Sequence, residues 1–167
     1  MTETMDSIQK AVAEALDGLH ISYEITEHPP VYTIEEMDSL GITSKGDVVK
    51  NLFLRDAKGK RHFLVVLEKD KRADLKALQE QLGSTKLSFA SEERLEKHLG
   101  LSKGAVTPLG ILNDFQGAVE LVSDRDLIGR QRLGVHPNEN TATLWISFDD
   151  LKKVADATKH SIEYVAL

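Results

Sequence analysis

The chain has 167 residues, 41% of them hydrophobic, which fits one domain able to bury roughly 70% of its unfolded surface. It has no cysteine, which excludes a disulfide framework, a thiolate nucleophile and a Cys-ligated zinc site. The formal net charge of −6 argues against bulk electrostatic binding of nucleic acid, and no apolar run approaches the roughly 20 residues that span a bilayer. With no basic segment leading into an apolar core near the N-terminus, a cytoplasmic location is expected.

Ile8, Val12, Ala15, Leu16 and Leu19 recur at helical spacing and Gly18 sits where such a helix ends, so the chain opens on an amphipathic helix. SYEIT (22–26) alternates as a strand, and the HPP at 28–30 must leave the sheet because proline has no ladder donor. Thr33 and Glu36 form a capping box for a short helix ending near Gly41. VVKNLFLRD (48–56) and RHFLVVLE (61–68), joined across AKG, are the strongest hairpin signal in the chain.

ADLKALQEQLG (73–83) predicts a helix closed by Gly83, KLSFA (86–90) a short strand, and SEERLEKHLG (91–100) a helix with Ser91 at its N-cap. SKGAVTPLGILND (102–114) is rich in Gly and Pro and is expected to be a loop with short extended pieces. AVELVSD (118–124) and ATLWIS (142–147) follow as strands. Ser147 and Asp150 then cap a helix over 148–160, before the strand SIEYVAL (161–167). Strands and helices intersperse without a regular βαβ beat. The expected fold is therefore α+β, one compact domain over 1–167 with a mixed, mostly antiparallel sheet and surrounding helices.

Charge is uneven along the chain. Between Lys45 and Lys76 there are ten Lys or Arg and five Asp or Glu, a local excess of five positive charges. Such a stretch is either a solvated hairpin rim or a phosphate-contacting face, with Lys45, Lys69, Lys71 and Arg72 as candidate contacts to a nucleic-acid backbone.

Within a strand of Val, Leu and Phe, the pair Lys50 and Asn51 is unusual, because adjacent residues point to opposite faces and one of them must face inward. Lys50 either snorkels off an edge or is a cation held on a rigid strand, aimed at a phosphate, a carboxylate or a developing oxyanion. Gly104, Ala105, Val106, Thr107 and Pro108 form a G-x-x-x-P segment, either an ordinary turn or a place where a ligand approaches backbone N–H groups. In GVHPNENTATLWIS (134–147), Gly134, Pro137, Asn138 and Asn140 are turn residues, but a turn does not need His136. His20, His62, His98 and His160 have no partner at metal-ligand spacing. No H-E-x-x-H, Walker loop or G-x-S-x-G is present, so no metal or cofactor is expected.

HPPVYTIEEM (28–37), VVKNLFLRDAKGKRHFLVVL (48–67), KLSFASEERLEKHLG (86–100), the G-AVT-P segment and GVHPNENTATLWIS together resemble the YbaK/ProX family of freestanding aminoacyl-tRNA deacylases. Within it the chain is similar to the PrdX or ProXp-ala type, related to the editing insertion of bacterial prolyl-tRNA synthetases. The resemblance runs from about residue 5 to 165. It implies a trans-editing enzyme, a cytoplasmic monomer without cofactor, that hydrolyses the ester of alanine mischarged on proline tRNA. The family's strand lysine falls on Lys50 with Asn51 beside it, its glycine loop on Gly104 to Pro108, and its late histidine on His136. Lys50 and His136 are thereby implied as catalytic; Asn51, residues 104–108, His28 and Tyr32 are implied as substrate-binding. The partners implied are mischarged proline tRNA and, as a second candidate, prolyl-tRNA synthetase. Two alternatives stay open: the same chemistry on cysteine or serine attached to tRNA, and a module that binds tRNA or a synthetase without turnover.

Overall fold

The computed structural model describes residues 2–167, with side chains from Ile8 onward. Helix α1 (Thr2–Gly18) buries Val12 and Leu16, two of the apolar positions that its helical spacing aligns. Strand β1 (Glu24–Glu27) begins two residues later than SYEIT suggests. The chain then leaves the sheet at the prolines, and Thr33 caps α2 (Ile34–Ser39) by accepting the Glu36 N–H at 3.1 Å.

Strands β2 (Asp47–Arg55) and β3 (His62–Glu68) pair antiparallel, with Lys50 opposite Leu67 and Asn51 opposite Val66. The side chains of β3 are buried from His62 through Leu67, because helices or loops cover both faces of the sheet. Asp74 caps α3 (Leu75–Leu82), which stops at Gly83 in the left-handed region, φ +62°. The two-residue β4 (Ser88–Phe89) and α4 (Glu92–Leu99), capped by Ser91, follow.

The 102–114 segment is not extended. It forms two 3-10 turns, Lys103–Ala105 and Pro108–Asn113. Thr107 caps the second by accepting the Leu109 N–H at 3.3 Å, and Pro108 has the fixed φ that suits a first helical position. The turn packs Leu109 and Ile111 fully into the core, which an extended loop would leave half in water.

Strands β5 (Val119–Asp124), β6 (Leu133–Val135) and β7 (Ala142–Ile146) come next, then α5 (Phe148–Ala157) and β8 (Ile162–Val165). The three-residue β6 carries no alternation of its own and its assignment rests on partners distant in sequence. Gly134 lies opposite Trp145, and a Cβ there would sit 2.6 Å from the Trp145 ring. Helix α5 ends three residues before the patterned limit. Beyond it His160 folds inward, where its Nε2 lies 2.8 Å from Asp114 Oδ2.

The strand order is β1-β7-β6-β2-β3-β5-β8, with β4 attached to β2; four pairings are antiparallel and three parallel. One face of the sheet packs Val49, Phe53, Leu64 and Val66 against α1, α4 and α5. The other packs Leu54, Phe63, Val65 and Leu67 against α3. A smaller cluster of Val31, Met37, Ile42, Val48 and Trp145 seats α2. The molecule is a single α+β domain with a mixed sheet.

Candidate active site

The site follows from an interruption in the sheet. Along the edge of β2 away from β3, strand β6 pairs only at Asp47 and Val48, and β4 only at Leu54 and Arg55. Residues 49–52 therefore have no strand beside them on that edge, and Phe53 meets only the residue just past β4, accepting the Ala90 N–H at 3.0 Å. Lys50 and Asn51 lie in the middle of the gap, held rigid by β3 on the other side. A cavity of about 320 Å³ occupies the gap, walled by α2 and its leading loop, by the Gly104 loop and by β6.

Asn51 reaches across the gap and donates from Nδ2 to the Val106 carbonyl at 3.2 Å, tying β2 to the glycine loop. Because a carbonyl only accepts, this bond orients the amide, and Oδ1 is left buried at the cavity wall without a partner. Lys50 lines the same cavity, half-buried, and its ammonium donates to the backbone carbonyl of Lys71. Among the described residues no carboxylate pairs with it, so its positive charge is oriented but not neutralised.

The G-x-x-x-P segment divides in two. Gly104 and Val106 line the cavity, whereas Ala105, Thr107 and Pro108 are buried outside its lining. The Thr107 hydroxyl donates to the His136 carbonyl at 2.7 Å, so Thr107 fastens the loop to the end of β6 and has no free donor for a ligand. Gly104 leaves room for the ring of Tyr32, which a Cβ at that position would meet at 2.7 Å and push aside. Tyr32 is 71% exposed and rests over that glycine at the cavity rim.

His136 also lines the cavity. Its Nδ1 lies 3.2 Å from the Ala142 carbonyl, which can only accept; the ring proton is thus on Nδ1 and Nε2 keeps a lone pair. Burial pushes its pKa below the usual histidine value, and the nearby His28 pushes the same way, so the neutral ring is favoured. His28 does not line the cavity. It stands behind Thr143, with Nδ1 donating to the Pro29 carbonyl at 2.8 Å and Nε2 accepting from the Thr143 hydroxyl at 2.9 Å. His28 thereby fixes the direction of a hydroxyl that does line the wall.

None of the four candidate phosphate contacts lines this cavity. Lys45 and Arg72 are exposed, and Lys69 pairs with Asp70 at 3.0 Å. Lys71 is bound to the buried Asp124 at 2.8 Å and to Asp126, and these carboxylates raise its pKa. Its charge is already satisfied within the fold. Among the cavity residues not anticipated from the sequence, two bring polar groups of interest. Lys103, on the first 3-10 turn, is an exposed cation at the mouth, and Thr143 is the hydroxyl on β7. Val31, Met37, Val48 and Val135 give the cavity an apolar part.

The family model described as the aminoacyl-tRNA editing domain matches residues 28–154, a span that contains every one of these cavity residues. The chain belongs to this family. It is 53% identical over 163 residues to the prolyl-tRNA editing protein ProX of Acetoanaerobium sticklandii, covering 98% of this chain and 99% of that protein. It is 37% identical to the prolyl-tRNA synthetase associated domain-containing protein 1 of Danio rerio, covering 92% of this chain and 84% of that one. A crystal structure provisionally described as a trans-editing enzyme for prolyl tRNA synthetase superposes with a TM-score of 0.70 at 21% identity, covering 96% of this chain and 97% of the other, and shares the fold. The protein is an aminoacyl-tRNA editing hydrolase, and its substrate bond is the ester between an amino acid and the tRNA ribose.

Proposed function

We propose that this protein acts in trans in the cytoplasm to deacylate alanine mischarged on proline tRNA, with Lys50 and His136 as the catalytic residues. The observation that carries the proposal is the convergence of Lys50, Asn51, the Gly104 loop and His136 on the gap in the β2 edge. The similarity to the ProX editing protein supports the choice of tRNA.

The bond to be broken is an activated ester, so a positioned water and groups complementary to the developing charge are sufficient. The neutral His136 holds a lone pair on Nε2 that can orient or deprotonate the water. Lys50 supplies a fixed positive charge for the oxyanion or the adjoining phosphate. The orphaned Oδ1 of Asn51 needs a donor, and an aminoacylated ribose brings two, its free hydroxyl and the amino acid's ammonium. The apolar part formed by Val31, Met37, Val48 and Val135 suits a small side chain.

A synthetase pocket built for proline cannot strongly exclude the smaller alanine, since a few missing carbons are worth about 1–3 kcal/mol. A second site that accepts the smaller side chain corrects the error. Proline tRNA charged with alanine, cysteine, serine or proline and offered separately to the purified protein tests the proposal: the alanyl ester is hydrolysed first and the prolyl ester persists. Faster hydrolysis of the cysteinyl or seryl ester would move the same chemistry to another small amino acid. No release from any of the four would leave a binding module. Prolyl-tRNA synthetase as a recruiting partner is part of the proposal, and so is action as a monomer.

A further inference from the structure

Across Val106 from the catalytic cavity lies a second groove of about 360 Å³, and the two share Asn51, Lys103 and Val106 as lining. The groove therefore begins at the wall on which the ester is placed. Its floor is apolar, with Phe53 and Leu95 5% and 4% exposed, and its lip is Phe89, which is 64% exposed. Phe89 lies on the short edge strand β4 opposite Leu54, which is fully buried. A phenyl ring left in water beside a catalytic cavity adds little to the core and is available as a stacking surface. At the junction of the two spaces Lys103 is exposed, and no carboxylate pairs with it among the described residues.

We infer that this groove binds the nucleobase of the 3′-terminal nucleotide, stacked on Phe89, with Lys103 on the phosphodiester that enters the site. The inference rests on the assignment of the cavity to ester hydrolysis. The ester is carried by the terminal ribose, so the base is one sugar ring away from the reacting carbon and must lie in a space adjoining the cavity. The groove meets that requirement, and its apolar floor and aromatic lip suit the face of a purine. The unpaired cation lies where the backbone has to pass.

Steady-state deacylation of alanine-charged proline tRNA, with kcat and KM measured separately, provides the test. Phe89→Ala is expected to raise KM roughly ten- to a hundredfold, the effect of losing one base–aromatic stack, while kcat falls much less. Phe89→Tyr keeps an aromatic face and should bring KM back toward the parent value. Lys103→Ala should raise KM and lower the slope of log affinity against log salt by about one. Phe115→Ala, at a 92% exposed ring outside both spaces, should leave both constants unchanged and serves as the control for loss of surface aromatics. Adenosine monophosphate should compete with substrate for the parent at concentrations at least tenfold lower than for Phe89→Ala.

A Phe89→Ala protein with the parent KM, or one whose loss the tyrosine does not restore, overturns the nucleobase site while leaving the editing function in place. A parent protein inert on every aminoacyl-tRNA overturns both.

Discussion

Replacing Lys50 separates its catalytic role from its structural one. In the structure its ammonium makes one hydrogen bond, to the Lys71 carbonyl, and its stem lines the cavity half-buried. Lys50→Met keeps the stem and removes the charge. Loss of a charged hydrogen bond costs about 1.5–3 kcal/mol, but the methionine no longer carries the desolvation cost of a partly buried cation, so the net change in stability is expected within about 1 kcal/mol. A shift that small moves Tm by a few degrees for a domain of this size. The chemical step loses a preorganised charge, which is worth roughly 10² to 10³ in rate. Single-turnover deacylation of alanine-charged proline tRNA at saturating enzyme reads that step alone, with Tm measured on the same preparation. Lys50→Arg should rescue poorly, because a planar guanidinium cannot both fit the gap and donate as a compact ammonium does. A folded Lys50→Met protein that hydrolyses the ester at the parent rate would refute the assignment and leave Lys50 as a strap between β2 and the segment after β3.

Three further outcomes are expected. Gly134→Ala should destabilise the fold by about 1–3 kcal/mol, because the new Cβ meets the buried Trp145 ring at 2.6 Å and Val48 at 3.0 Å; Gly104→Ala should perturb KM more than Tm, because its obstacle is the exposed ring of Tyr32. Charge reversal at Arg72 should weaken tRNA binding and reduce its salt dependence, whereas reversal at Lys71 should chiefly lower Tm, since Lys71 is paired with the buried Asp124. Stability should fall as pH drops from about 6.5 toward 4: burial lowers the pKa of His62 to about 4, so over that window the unfolded chain takes up a proton that the folded chain refuses. The loss is at most about 3 kcal/mol, and His62→Gln, which still offers Arg94 an acceptor, should flatten it; an unchanged pH profile of Tm in that variant would exclude His62 as the origin.

Much of the fold was legible because its signals are local. The caps at Thr33, Ser91 and Ser147 each lie within three residues of the N–H they satisfy, and the β2–β3 hairpin announces itself by two apolar runs and a tight turn. What failed was non-local. Strand β6 is three residues long and is a strand only because β2 and β7 flank it, and the gap in the β2 edge is a property of three separate pairings. For the site, the family resemblance named residues that the structure does bring together around one cavity: Lys50, Asn51, Gly104, Val106, Tyr32 and His136. It could not tell that Thr107 serves the loop rather than the ligand, nor that Lys71 is consumed by Asp124, 53 positions along the chain. Lys103 and Thr143 gave no sequence signal, because an exposed lysine in a loop and a threonine in a strand are commonplace until the fold sets them on the same cavity wall.

The most direct measurement is the rate at which the purified protein empties proline tRNA charged with alanine compared with proline tRNA charged with proline, at equal concentrations and enzyme in excess. Editing by this site predicts rapid release of alanine with the prolyl ester surviving at its spontaneous rate of hydrolysis. Equal loss of both esters, or survival of both, would contradict it.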